Sequence, residues 1–323
     1  MINCCCPGSE LHRYSQRGVL GTTGTIPKNP GSSAQLGPSD ELVRIPAGTF
    51  SMGDNWGAGY PADGETPVHD VRLESFLMGA TTVTNAQFET FVEETGYRTT
   101  AELHGVSAVF YAAFQGPRSA ILHQVAGVPW WLAVDGADWR HPNGPDSGIE
   151  EKPDHPVVHV SWDDAVAYCS WRGARLPSEA EWEYGARGGL ERKKYAWGDQ
   201  LTLEGKWNCN IWQGKFPIDN TAEDGYLTTA PGRTYQPNGY GLWQMAGNVW
   251  EWCLDWFAAD YYSHSKFADP CGPSSGDYRV MRGGSYLCHN SYCNRYRVSA
   301  RSYNTPDATS GNIGFRCATS DPR

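Results

Sequence analysis

Arg282-Gly-Gly-Ser-Tyr-Leu-Cys288-His-Asn-Ser-Tyr-Cys293-Asn-Arg-Tyr-Arg297 sets two cysteines five residues apart behind a Gly-Gly pair. In a strand that odd spacing sends the side chains to opposite faces, and on a helix it separates them by about 140°. The segment must therefore bend if the two sulfurs are to meet. A converging pair has three readings: a structural disulfide, a redox disulfide, or a two-thiolate metal site. Spacing alone favours the disulfide. Structural zinc wants four ligands, and no second Cys-x-x-Cys or nearby His pair supplies them; His289 follows Cys288 directly and is expected to point elsewhere. If a metal is held, two thiolates suit a soft ion, and copper(I) is the natural candidate.

The stretch has no helical period, and neither does the rest of the chain after Gly189. There, short apolar pieces alternate with Gly, Asn, Asp and Pro. A chain this poor in helix must satisfy its backbone through short strands, turns or bound ions. Before Gly189 three helices are signalled by capping boxes. Thr84-Asn-Ala-Gln87 opens one with Phe88, Phe91 and Val92 on one face and Gly96 as its stop. Ser161-Trp-Asp-Asp164 opens the second, carrying Ala165, Tyr168 and Cys169 before Gly173. Ser178-Glu-Ala-Glu181 opens the third, carrying Trp182 before Gly188-Gly189. Val43–Ile45 and Thr49–Gly53 alternate as short strands. No repeat of solenoid or propeller period is present. One α+β domain over 42–323, low in regular structure, is expected behind a flexible lead-in over 1–41 rich in Gly, Ser, Pro and Thr.

Composition narrows the function. The 323 residues carry 37 Gly, 21 Pro and 14 Trp, a loop-rich and aromatic-rich balance. A net charge of −10 with scattered Lys and Arg argues against nucleic acid as a partner. No run approaches the roughly 18 apolar residues of a membrane helix. The start lacks a basic segment followed by an apolar one, and no Asn-x-Ser/Thr sequon occurs, so a cytoplasmic location is expected. Ten cysteines are too few for a disulfide scaffold. The Cys4-Cys5-Cys6 triplet is expected to lie in the tail without contributing to the fold.

The opening stretch, followed by Arg301-Ser-Tyr-Asn-Thr-Pro-Asp307 and Gly314-Phe-Arg-Cys317, resembles the formylglycine-generating enzymes. So do Trp139-Arg-His-Pro142, Pro156-Val-Val-His-Val-Ser-Trp162, Arg175-Leu-Pro-Ser-Glu-Ala-Glu-Trp-Glu-Tyr184, Asn210-Ile-Trp-Gln-Gly214 and Gly247-Asn-Val-Trp-Glu-Trp252. The match runs in one order from about Leu42 to Ala318; the cysteine pair in its Gly-Gly-Ser-Tyr context is the part specific to these enzymes. The resemblance implies a compact, irregular α+β fold related to C-type lectins. It also implies an oxidase that converts the cysteine of a Cys-x-Pro-x-Arg segment in an unfolded sulfatase polypeptide to Cα-formylglycine. Copper(I) and calcium are the implied metals, O2 the co-substrate and an external thiol the reductant; a monomer is expected. The alternative is a non-catalytic, lectin-like binding module on the same scaffold, which would have no need of two adjacent thiols.

By the same resemblance Cys288 and Cys293 are the copper ligands. Ser285 and Trp250 line the oxygen and thiol pocket, with Tyr292, His289, Arg297, Arg301 and Asn312 around it. Asn210 and Asp224, with the backbone of Ile211 and Tyr226, make a calcium site. A second maps to Gln244, Gly247, Val249 and Glu251, where Gln244 replaces the family's Asn. Cys169 and Cys317 map to a disulfide of the vertebrate relatives, while Ala186 and Val298 stand where a second bridge would be. Cys209, Cys253 and Cys271 are expected to be buried thiols.

Overall fold

The three capping boxes close as the sequence implies. In the computed structural model, which describes Pro7 and residues 41–322, Thr84, Ser161 and Ser178 each accept the backbone N–H three residues on. They start α1 (Asn85–Thr95), α3 (Trp162–Trp171) and α4 (Glu179–Arg187). Gly96 and Gly188 end α1 and α4 in the left-handed conformation that glycine adopts without penalty. A fourth box, Thr99 with Glu102, starts the short α2 (Thr100–His104), a helix beyond the three expected. The lead-in expected over 1–41, including Cys4–Cys6, lies outside the described residues except for Pro7 and Glu41.

Short sheets surround these helices. β1 (Leu42–Ile45) and β16 (Ala318–Ser320) flank β4 (Phe76–Gly79), so the two ends of the domain share one antiparallel sheet. β2 (Gly48–Met52) pairs with β3 (His69–Leu73). β5 (Val106–Phe110) and β6 (Ile121–Gln124) flank β7 (Trp131–Asp135). Two small ribbons follow: β8 (Thr202–Leu203) with β9 (Lys206–Trp207), and β10 (Gly214–Lys215) with β11 (Asp219–Asn220). The last sheet has the order β14 (Arg301–Asn304), β13 (Arg279–Arg282), β12 (Trp250–Trp256), β15 (Ile313–Gly314). It carries the opening stretch: the chain leaves β13 at Arg282 directly into Gly283-Gly284.

Trp131, Trp139, Trp182, Trp212, Trp250 and Trp252 are fully buried; Trp139, Trp182, Trp250 and Trp252 share their clusters with residues of α1, α3 and α4, while Trp131 and Trp212 pack with β5, β7 and Tyr286–Leu287. Each aromatic takes some 150–250 Å² out of water, which makes these side chains the main apolar contribution to the fold. Four arginines are equally buried, and each meets a carboxylate: Arg282 with Glu179 and Glu183, Arg297 with Glu65, Arg301 with Glu179, Arg316 with Glu251. A guanidinium in such an interior is costly unless it is paired and most of its donors are met; in Arg282 the Nε alone is left without an acceptor. Arg316 meets that condition through both Glu251 oxygens, at 2.6 and 2.7 Å, and the carbonyls of Gly79, Ala80 and Trp243.

Candidate active site

The opening stretch does bend, and by successive turns. The N–H of Cys288 donates to the Ser285 carbonyl at 2.9 Å, and those of Tyr292 and Cys293 both donate to the His289 carbonyl at 3.0 and 2.6 Å. The Gly-Gly pair makes the fold-back feasible. Gly284 sits at φ +76°, and a Cβ there would lie 3.0 Å from the Arg295 carbonyl oxygen. The result sets the Cys288 and Cys293 sulfurs 3.0 Å apart, with no disulfide between them. A disulfide would need about 2.05 Å. Both cysteines are buried in the largest apolar cluster. Between them in the chain, Asn290 and Ser291 are exposed and His289 and Tyr292 half-buried, so the turn that joins the two cysteines reaches the surface.

The two sulfurs differ in their donors. Cys288 Sγ accepts the Ser285 N–H at 3.4 Å, and Cys293 Sγ faces Nη1 of Arg295 at 3.8 Å. Ser285 Oγ in turn accepts from Asn312 Nδ2 at 3.0 Å, and Asn312 Oδ1 accepts from Ser310 at 2.7 Å. Trp250 is fully buried; its backbone N–H donates to the Asn312 carbonyl, and its indole nitrogen has no partner. Tyr292 stacks on Phe216 at 4.4 Å and meets Trp130 edge-on at 5.1 Å, an aromatic group packed against the cluster that holds the pair. His289 turns to Ser291, away from the sulfurs, as its position suggested. Burial holds its imidazole below the usual pKa.

Ser285, Asn312, Trp250 and Tyr292 thus gather around the cysteines. Arg297 and Arg301 instead anchor Glu65 and Glu179. Three neighbours escaped the sequence reading. Arg295 sits two residues past Cys293, but a lone Arg carries no motif. Phe216 and Trp130 come from distant loops, and only folding brings them onto Tyr292.

Cys169 and Cys317 lie 3.5 Å apart as thiols. Cys209 and Cys253 are buried as expected, and burial raises both thiols. Cys271 corrects the expectation: it is exposed, because it follows Pro270 on an irregular loop and turns back to the Asp269 carbonyl.

The donor sets can be compared with the metals they were expected to hold. Two adjacent soft sulfurs in an apolar cluster suit copper(I). Asn210 Oδ1 is buried with no hydrogen-bond partner, while its amide nitrogen donates to Thr228 and Asn248. Asp224 accepts from Ile211, Tyr226 and Gln213, and burial raises its carboxyl. An orphaned oxygen beside a penalised carboxylate fits a hard cation such as calcium. The second set fits poorly. Gln244 Oε1 is orphaned, but the Glu251 carboxylate is already neutralised by Arg316 and bonded by Trp182 at 2.7 Å. Gly247 and Val249 contribute no charge. Among the described residues no cluster of three or more His, Cys, Asp or Glu side chains is arranged for a metal.

Residues 28–321 match the sulfatase-modifying factor enzyme 1-like domain. The chain belongs to this family. Within the family it is similar to the formylglycine-generating enzyme of Streptomyces coelicolor, at 61% identity over 90% of this chain and 92% of the relative. It is 50% identical to that of Bos taurus, over 97% of this chain and 83% of the relative. The family fold recurs in a solved structure, PvdO from Pseudomonas aeruginosa, with a TM-score of 0.65 at 23% identity, over 91% of this chain and all of that one. The expected α+β sulfatase-modifying fold is therefore the fold of this chain. Among the described residues no helix is long and apolar enough to cross a membrane.

Proposed function

We propose that the protein is a copper-dependent oxidase that converts the cysteine of a Cys-x-Pro-x-Arg segment to Cα-formylglycine, using O2 and an external thiol reductant. The observation that carries the reading is the apposition of Cys288 and Cys293 as thiols 3.0 Å apart on either side of one surface-reaching turn. The names of relatives at 50–61% identity support it. The partner is an unfolded sulfatase polypeptide, a reading supported by the sulfatase-modifying family to which the chain belongs. Copper(I), held by Cys288 and Cys293, would supply the binding of the substrate thiolate and the reaction with O2.

The chain's own residues do the rest. Ser285 N–H favours an anionic sulfur at Cys288. Asn312 fixes the Ser285 hydroxyl, and Trp250 adds a fully buried ring to the apolar cluster that holds the cysteines. Tyr292, Phe216 and Trp130 would give the substrate an apolar, aromatic surface beside the turn. Oxidation of the substrate Cβ–S bond by two electrons gives a thioaldehyde, which water converts to the aldehyde with release of hydrogen sulfide. O2 takes four electrons on the way to two waters, so the thiol reductant provides the other two. Calcium at Asn210, Ile211, Asp224 and Tyr226 would act as an internal staple, not as a reactant.

The test is a copper(I) titration with thiol counting. One copper per chain should protect two thiols, and the Cys288→Ser and Cys293→Ser variants should lose that copper. Protection of neither thiol would reject the reading and leave the binding-module alternative.

A further inference from the structure

Arg295 lies where no role has been given to it. Its guanidinium is held on one edge by Asp63, with Nε to Oδ2 at 2.5 Å and Nη2 to Oδ1 at 3.0 Å. Its Cζ lies 4.4 Å over the Tyr60 ring, and both charged side chains are nearly buried, at 11% and 6% exposure. Asp63 occupies the Nε–Nη2 edge, so the remaining nitrogen, Nη1, is the one turned to Cys293 Sγ at 3.8 Å. The planar fork cannot rotate without losing the bidentate pair. The carboxylate thus serves as an aiming device, and the cation presented to the sulfur keeps one direction.

We infer that Arg295 is a positioning residue that compensates the charge of the incoming substrate thiolate and so favours cysteine as the third donor. The inference rests on the copper reading above. Copper(I) with two thiolates carries one negative charge. A third thiolate, formed as the substrate thiol releases its proton to solvent, would make that charge −2. A dianion below the surface is costly without a nearby cation. The Ser285 N–H offers a backbone dipole on the Cys288 side, and Arg295 supplies full charge on the Cys293 side. A neutral donor would gain much less from that guanidinium, so the effect is selective for an anionic sulfur.

The experiment uses the full chain loaded with copper(I) under anaerobic conditions. Binding of a short Cys-x-Pro-x-Arg peptide and of its Ser-x-Pro-x-Arg analogue is measured for wild type, Arg295→Met, Arg295→Lys and the double variant Arg295→Met/Asp63→Asn. The double variant removes both buried charges together and guards against misfolding of the single one. Wild type should prefer the cysteine peptide. Arg295→Met and the double variant should lose about ten- to hundredfold of that preference, the range of a charge-assisted hydrogen bond. The serine peptide should bind all proteins alike, and Arg295→Lys should restore part of the preference. An unchanged cysteine-to-serine ratio in the folded, copper-loaded double variant would overturn the inference while leaving the oxidase reading intact. Failure of wild type to take up copper(I) would overturn both.

Discussion

Asn312 Nδ2 donates to Ser285 Oγ at 3.0 Å, tying the loop before β15 to the turn that holds Cys288. Both residues are fully buried. The bond fixes one rotamer of a hydroxyl whose own backbone N–H faces the Cys288 sulfur.

Asn312→Leu removes that donor and leaves the hydroxyls of Ser285 and Ser310 short of partners. A buried polar group left unsatisfied costs about 1–3 kcal/mol, so urea denaturation should show a loss of that order. Turnover of a cysteine peptide should fall further than stability does, since the sulfur-bearing turn is loosened. Equal turnover by the folded variant would separate Asn312 from the chemistry.

The Arg316–Glu251 pair supports the same sheet from within. Arg316→Met leaves Glu251 buried with only Trp182 among its recorded donors once the guanidinium is gone. Breaking one side of a buried pair costs about 3–5 kcal/mol. Arg316→Met with Glu251→Gln should recover much of that loss in the same denaturation assay.

Stability should also carry a pH signature from Asp255. Burial, then the nearby Glu179 charge, push its carboxyl up to about 8. An unfolded Asp ionises near about 3.9, so between these values the native state holds the extra proton. The contribution is fully present below about pH 4 and is lost as pH rises toward 8. Asp255→Asn keeps an acceptor for the Glu179 N–H, now 2.8 Å away, and should flatten that decline. Denaturation midpoints at three pH values check this; parallel slopes for the two proteins would contradict it.

Calcium removal should destabilise the native chain through the loop of Asn210 and Asp224. A chelator should lower the thermal midpoint of wild type, and Asp224→Asn should abolish the response. The same test on Glu251→Gln should leave the chelator response in place, because Arg316 already compensates that carboxylate.

The parts of this fold legible in the sequence are those encoded locally. Capping boxes at Thr84, Ser161 and Ser178 are complete within four residues, so their helices could be read directly. The bend between Cys288 and Cys293 was readable as a requirement, since five residues cannot bring two sulfurs together in a regular element. The buried arginines were not readable: Arg297 finds Glu65, and Arg301 finds Glu179, across 232 and 122 residues of chain. Arg295 is hidden for the same reason, its partner Asp63 lying 232 residues away. The aromatic group of Tyr292, Phe216 and Trp130 likewise exists only after folding.

The most direct measurement is mass spectrometry of a Cys-x-Pro-x-Arg peptide after incubation with the copper-loaded protein, O2 and a thiol reductant. The account predicts a mass loss at the cysteine equal to replacing its thiomethyl side chain by an aldehyde group, absent with Cys288→Ser or Cys293→Ser. An unmodified peptide from wild type shown to hold its copper, or equal conversion by either serine variant, would contradict it.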